Sequence, residues 1–328
     1  MKYIESASFD PAWNLALEQY LFDAMDRRES YFYLWQNDKT IVIGRNQNAV
    51  QEINRDYVRE HGIHVVRRLS GGGAVYHDLG NLNFTFITDA ADSGRIDLRS
   101  FCEIIAAALQ SIGVPAEVSG RNDLTVHGKK FSGNAQYVRE HRVMHHGTIL
   151  FDSDLSVVEK ALNPPPEKIA SKGIRSVASR VTNLKPYLPG VSLAQLKDAL
   201  LAHMNSRWPL TPLALSEAEK KAVADICADR YARWEWNYGA SPEYTEQVRR
   251  RFEGCGMVEA FLTVEGGLIR RLSFFGDFFS TDDPALLAEK LLDCPREEGA
   301  ILERLENTDV SRFIHGLHAK ELALLLAP

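Results

Sequence analysis

Three consecutive glycines, Gly71, Gly72 and Gly73, interrupt a chain built otherwise of ordinary strand and helix patterns. They lie in Arg67-Arg68-Leu69-Ser70-Gly71-Gly72-Gly73-Ala74-Val75-Tyr76-His77-Asp78, between strand-like runs at 63–67 and 74–77. A glycine triplet destabilises both strand and helix, so something must offset it. Bare peptide N–H groups can come close to a ligand and cradle phosphate or carboxylate oxygens. Arg67 and Arg68 can add charge-assisted bonds to the same anion. A bare triplet is more often a flexible turn; the arginines and flanking strands shift the reading towards an anion site. It is not a Walker loop, because Gly128-Lys129-Lys130 lacks the upstream glycine, and no G-x-G-x-x-G is present.

The rest of the chain supplies a scaffold. Asp10-Pro11 reads as a helix cap and first position, and an apolar stripe from Leu15 to Met25 carries that helix to about Arg27. Strands are expected at 31–35, 40–43 and 82–88, with a short helix capped by Asn54. A helix follows over 100–112, ended by Gly113. A hairpin is expected at 124–126 and 130–138 around His127-Gly128-Lys129, then a strand at 142–151 and a helix from Asp154 to about Leu162. Residues 163–180 lose all periodicity and carry Lys168, Lys172, Arg175 and Arg180; so long a stretch is commonly a functional loop. Helices are expected at 192–205 and 216–231. Beyond Gly239-Ala240-Ser241-Pro242 two strand-like runs, 258–264 and 268–275, read as a small separate α+β unit.

Composition narrows the class. No segment approaches eighteen uninterrupted apolar residues, and the N-terminus lacks a signal peptide's apolar region, so neither membrane nor export is expected. The formal charge of −6 argues against a nucleic-acid partner. Four scattered cysteines with no CxxC pair fit a reducing cytoplasm.

A second cluster is Arg121-Asn122-Asp123-Leu124 followed by Lys130-Phe131-Ser132-Gly133-Asn134-Ala135. Strict alternation along a strand would put Lys130 on one face with Ser132. A lysine beside small residues can be a fixed cation over a pocket, although any single lysine is usually solvated. Asp123 is a candidate magnesium ligand, since phosphate-bound magnesium needs few protein oxygens. His141, His145 and His146 raise the question of zinc, but the segment reads as a strand and lacks the H-E-x-x-H glutamate.

These segments together resemble the lipoate–protein ligases. The matching stretches are Arg68 to Asp78, Gly80-Asn81-Leu82-Asn83-Phe84, Arg121 to Leu124, Lys130 to Ala135 and His145-His146-Gly147-Thr148. Further matches are Ser171 to Val177, Arg180 to Asn183, Trp234 to Gly239 and Gly276-Asp277-Phe278-Phe279. The resemblance implies an α+β protein, with a mixed-sheet catalytic domain of the biotin/lipoate ligase type over 1–240 and a small accessory domain over 241–328. It implies ATP-dependent activation of lipoate to lipoyl-AMP, then transfer to a lysine of a lipoyl domain. The acceptors would be 2-oxoacid dehydrogenase complexes or the glycine-cleavage carrier protein. Lys130 matches the central catalytic lysine. ATP and adenylate contacts would come from Arg68, Gly73, Ala74, Val75, Tyr76, Asn83, Lys130 and Lys172. Lipoate contacts would come from Ser70, Gly71, Gly72, His77, Lys130 and His146, with magnesium at Asp123. Residues 163–180 would close as a lid over the hydrolysable adenylate. Within the superfamily the competing reading is a cysteine-dependent octanoyl or lipoyl transferase, but no cysteine lies near Lys130 in the sequence. A non-catalytic lipoyl-domain binder is the other alternative.

Overall fold

The computed structural model describes residues 1–89, 96–162, 180–238 and 245–327. A mixed eight-stranded sheet dominates it. Its strands are β1 (Lys2–Glu5), β2 (Tyr31–Trp35), β6 (Asn81–Asp89), β7 (Ala116–Ser119), β8 (Asp123–Val126), β9 (Lys129–Arg139), β10 (Arg142–Leu150) and β11 (Thr211–Pro212). They lie in the order β11-β1-β2-β6-β10-β9-β8-β7. A small second sheet, β4-β3-β5, is made of β3 (Thr40–Ile43), β4 (His64–Arg67) and β5 (Val75–His77). β3 pairs with β4 in parallel and with β5 antiparallel, so the glycine loop is the connection from one flank of β3 to the other.

Period-two alternation sorts the large sheet into two cores. β2 is buried along its whole length. Phe32 and Leu34 face one side with Phe84, Phe86 and the helix Leu98–Gln110. Tyr31, Tyr33 and Trp35 face the other with Leu15, Leu17 and Leu21 of helix α1 (Pro11–Asp23). Asp10 caps α1 by accepting from the Ala12 N–H, as the Asp-Pro start implies. α1 ends at Asp23, short of the expected Arg27.

The C-terminal residues form a third sheet, β12 (Glu246–Phe252), β13 (Gly256–Glu265) and β14 (Leu268–Gly276), packed against short helices around their own apolar core. β12, Glu-Gln-Val-Arg-Arg-Arg-Phe, is not legible from hydropathy. It is an exposed edge strand whose charged face needs no apolar alternation. This unit presses on the back of the glycine loop. The Gly276 N–H donates to Asn46 O at 2.7 Å, and a Cβ on Gly71 would lie 2.1 Å from Phe278 O. Arg121 donates to the carbonyls of Gly254 and Cys255, and its guanidinium lies 4.6 Å over the Phe279 ring.

Candidate active site

The glycine loop, β6, β9 and β10 enclose one cavity. Its wall includes Arg68, Gly72, Gly73, Ala74, Val75, His77, Asn83, Lys130 and His146, all expected as site residues. Leu15, Trp35 and Val42 add apolar surface, and Asn122, Gly133, Asn134, Gly147 and Thr148 complete the polar part.

The two arginines diverge, as alternation along β4 dictates. Arg67 does not reach the cavity. Its guanidinium donates to the carbonyls of Gly44, Arg45, Gln47, Trp236 and Asn237, so it is a structural clamp rather than a second anion ligand. Arg68 does line the cavity. Its Nη2 donates to Gly71 O at 2.6 Å and Gly73 O at 2.9 Å, and its Nε to Ser70 Oγ at 2.9 Å. Burial pulls its pKa down to about 10, with the charge of Glu18 opposing that fall.

The three glycines have three different reasons. Gly71 yields to the Phe278 carbonyl. Gly72 adopts φ +93, and a Cβ there would meet Arg68 Nη2 at 2.9 Å. Gly73 would meet nothing within 4 Å, so only it leaves open space on the cavity side. Gly71 packs against the C-terminal unit and is not part of the cavity lining.

Lys130 does not share a face with Ser132. The β8–β9 register pairs Thr125 with Lys130 and Leu124 with Ser132, leaving Phe131 as an extra residue. Such a bulge breaks alternation. Lys130 lines the cavity beside Gly133, whose hypothetical Cβ would lie 3.1 Å from the Lys130 ammonium. Ser132 turns inward to the amide of Asn134, 3.2 Å away. The ammonium pairs with Asp123 Oδ1 at 2.7 Å, both side chains being little more than one-third exposed. Beyond the long loop the chain returns alongside, the Thr182 N–H donating to Lys130 O at 2.8 Å.

His77 and Asn83 each bring a buried nitrogen, Nε2 and Nδ2, with no partner among the described residues. Asn14 Nδ2 donates to the carbonyls of Ser8 and Gln36 and to Asn37 Oδ1. That turns Asn37 Nδ2 towards His77 Nδ1 at 3.2 Å, so the His77 proton sits on Nε2. Burial, then the charge of Arg68, pushes its pKa down to about 3, so it stays neutral. The cavity thus offers two donors that lack an acceptor among the described residues.

Other expected residues fall elsewhere. Ser70 lies behind the wall, its oxygen 2.7 Å from His146 Nε2. The Tyr76 side chain borders a separate concavity with Asp38, Asp78 and Asp154. Lys172 and the lid, apart from Arg180, lie outside the described residues. No group of three or more potential metal ligands occurs among the described residues. Sequence reasoning missed Glu18, which is buried and accepts from His146 Nδ1 at 2.8 Å. Its signal was an acid inside the apolar stripe of α1, three positions from both Leu15 and Leu21.

Comparison with known proteins gives a consistent result. Residues 10–205 match the family model "Lipoyl protein ligase A/B catalytic domain", and residues 241–326 match "Bacterial lipoate protein ligase C-terminus". The chain is 38% identical to lipoate-protein ligase LplJ of Bacillus subtilis over 99% of its own length and 100% of that protein. It is also 38% identical to lipoate–protein ligase 1 of Staphylococcus aureus, with both chains fully covered. A crystal structure of P. falciparum LipL1 in complex with lipoate superimposes with a TM-score of 0.78 at 26% identity, covering 94% of each chain.

Proposed function

Since the chain belongs to the lipoate–protein ligase family, we propose that its cavity condenses lipoate with ATP and then passes the lipoyl group to a lysine of a lipoyl domain. The observation that carries this reading is one cavity in which Lys130 and Arg68 face the Gly72–Val75 backbone and an apolar wall of Leu15, Trp35 and Val42.

In the first half-reaction a carboxylate oxygen attacks the α-phosphorus of ATP. The new O–P bond forms as the bond to pyrophosphate breaks. Both partners are anions and repel. Lys130 moves from Asp123 to the two oxyanions and holds them together, a fixed cation where charge concentrates. Arg68 keeps the Gly71 and Gly73 carbonyls turned inward, away from the incoming oxyanions. Gly73 leaves room for the adenylate, and the N–H groups of His77 Nε2 and Asn83 Nδ2 await acceptors on the ligand. In the second half-reaction a neutral lysine amine attacks the lipoyl carbonyl, and AMP leaves with the bonding electrons. Magnesium is expected with ATP. Asp123, freed by Lys130, supplies the kind of oxygen magnesium takes, and the bound cation would supply positive charge against the departing pyrophosphate.

The acceptors fitting this chemistry are lipoyl domains of 2-oxoacid dehydrogenase complexes or the glycine-cleavage carrier. Cytoplasmic action agrees with the absence, among the described residues, of any helix long and apolar enough to cross a membrane. Two domains, 1–240 and 241–328, agree with the separate C-terminal core. No observation favours the cysteine-dependent transferase. No cysteine lines the cavity, and burial pushes the Cys102 thiol up to about 12, away from thiolate.

The test is incubation of the protein with ATP, magnesium, lipoate and a lipoyl domain. Mass spectrometry should find the acceptor carrying one lipoyl group, with AMP and pyrophosphate released. Tight lipoate binding without pyrophosphate would establish the binder instead.

A further inference from the structure

Glu18 is a carboxylate almost fully removed from water, and it touches no cation directly among the described residues. Its Oε1 accepts from Thr85 Oγ1 at 2.6 Å and from His146 Nδ1 at 2.8 Å. An isolated buried carboxylate is strongly disfavoured, so a counter-charge must lie near. Arg68 has the reciprocal difficulty. Every group its guanidinium hydrogen-bonds to among the described residues is neutral: Ser70 Oγ and the carbonyls of Val42, Gly71 and Gly73.

The two charges meet through a chain of hydrogen bonds whose direction is fixed at its Arg68 end. Arg68 Nε–H can only donate, so Ser70 Oγ accepts. The Ser70 hydroxyl proton is then free for His146 Nε2, 2.7 Å away. With Nε2 accepting, the His146 proton sits on Nδ1 and goes to Glu18. A second branch runs from Trp35 Nε1–H to Thr85 Oγ1 at 3.0 Å, and from the Thr85 hydroxyl to the same carboxylate oxygen. Arg68, His146 and Trp35 all line the cavity; Glu18, Thr85 and Ser70 do not.

We propose that Glu18 is a positioning residue that presets both halves of the cavity at once, setting Arg68 through the His146 tautomer and Ser70, and the Trp35 indole through Thr85. The proposal rests on the ligase reading for its catalytic consequence, but not for its proton order. The arrangement resembles a serine–histidine–acid triad, yet Ser70 is not a nucleophile here. Its oxygen is shut away from the cavity, and Arg68 Nε–H occupies a lone pair.

The experiment combines nitrogen NMR of the histidines with pre-steady-state pyrophosphate release. In the wild type, His146 should be protonated on Nδ1 and bare on Nε2; protonation on Nε2 overturns the proposal without any variant. Glu18→Ala should shift that tautomer and lower kcat for lipoyl-adenylate formation on the order of tenfold to a hundredfold. Glu18→Gln keeps an oxygen acceptor, so it should retain the tautomer and recover part of kcat. An Ala variant with the wild-type tautomer, or one with wild-type kcat, overturns the proposal. If Glu18→Ala does not fold, the wild-type tautomer and the Gln variant still decide. Absence of pyrophosphate release from the wild type would instead overturn the ligase reading, leaving the proton order to stand or fall on NMR alone.

Discussion

Arg68 and Lys130 reach the same cavity, yet one charge is set into its floor and the other stands at its rim. Arg68 is buried, bound to three backbone carbonyls and a serine, and balanced at a distance by Glu18. Among the described residues Lys130 holds one carboxylate, the partly exposed Asp123. A charge in the floor cannot move without unmaking the loop around it. A rim ammonium exchanges a solvated carboxylate for a ligand at little expense, because exposed ion pairs contribute only about 0–1 kcal/mol. Fold and chemistry are therefore divided between two cations a reader of the sequence would treat alike.

Substitutions can break this division. Arg68→Met should have the largest effect. It strands Glu18 as an unbalanced buried charge and should destabilise the protein by about 3–5 kcal/mol, read from a denaturant melt. A change under about 1 kcal/mol would place Arg68 outside the floor. Lys130→Ala should leave that melt nearly unchanged while raising the barrier to adenylate formation by about 3 kcal/mol, roughly a hundredfold or more in pyrophosphate release. Near-normal turnover would remove Lys130 from the chemistry.

Acid sharpens the comparison. Burial holds His77 at about 3 and His145 well below its ordinary value. Unfolded, each takes a proton near 6.5. Below that pH the unfolded chain binds more protons than the folded one, so stability falls as pH drops from about 6.5 towards 3, by up to about 1.4 kcal/mol per pH unit for each histidine. His77→Gln should flatten that slope; an unchanged slope would mean His77 is not held neutral. Smallest of all, Asp123→Asn at the rim should shift stability by less than about 1 kcal/mol. A larger loss would show that the Lys130–Asp123 pair supports the fold.

Much of this is legible in the amino-acid sequence. β2 and β6 announce themselves because both faces are buried, and the caps at Asp10, Asn54 and Asp154 appear where short polar side chains precede a helical stripe. The nine cavity-lining residues expected from the motifs do meet in space. What was hidden has physical causes. β12 has no apolar alternation because its edge face is charged, the bulge at Phe131 follows from pairing rather than composition, and the partner of Gly71 lies more than two hundred residues away in sequence. Glu18 was readable as an acid facing the core of α1, but its role appears only when His146 and Thr85 arrive from other strands.

The contact between the Phe278 carbonyl and Gly71 carries an implication for engineering. A fragment ending near residue 240 would keep every side chain of the cavity and still lose the surface on which its glycine loop is cast. Grafting the last eighty-odd residues from a relative would demand that the donor bring a carbonyl like that of Phe278 and a ring like that of Phe279 to the same spot. Those two residues, not the catalytic ones, set the terms on which halves of this enzyme can be exchanged.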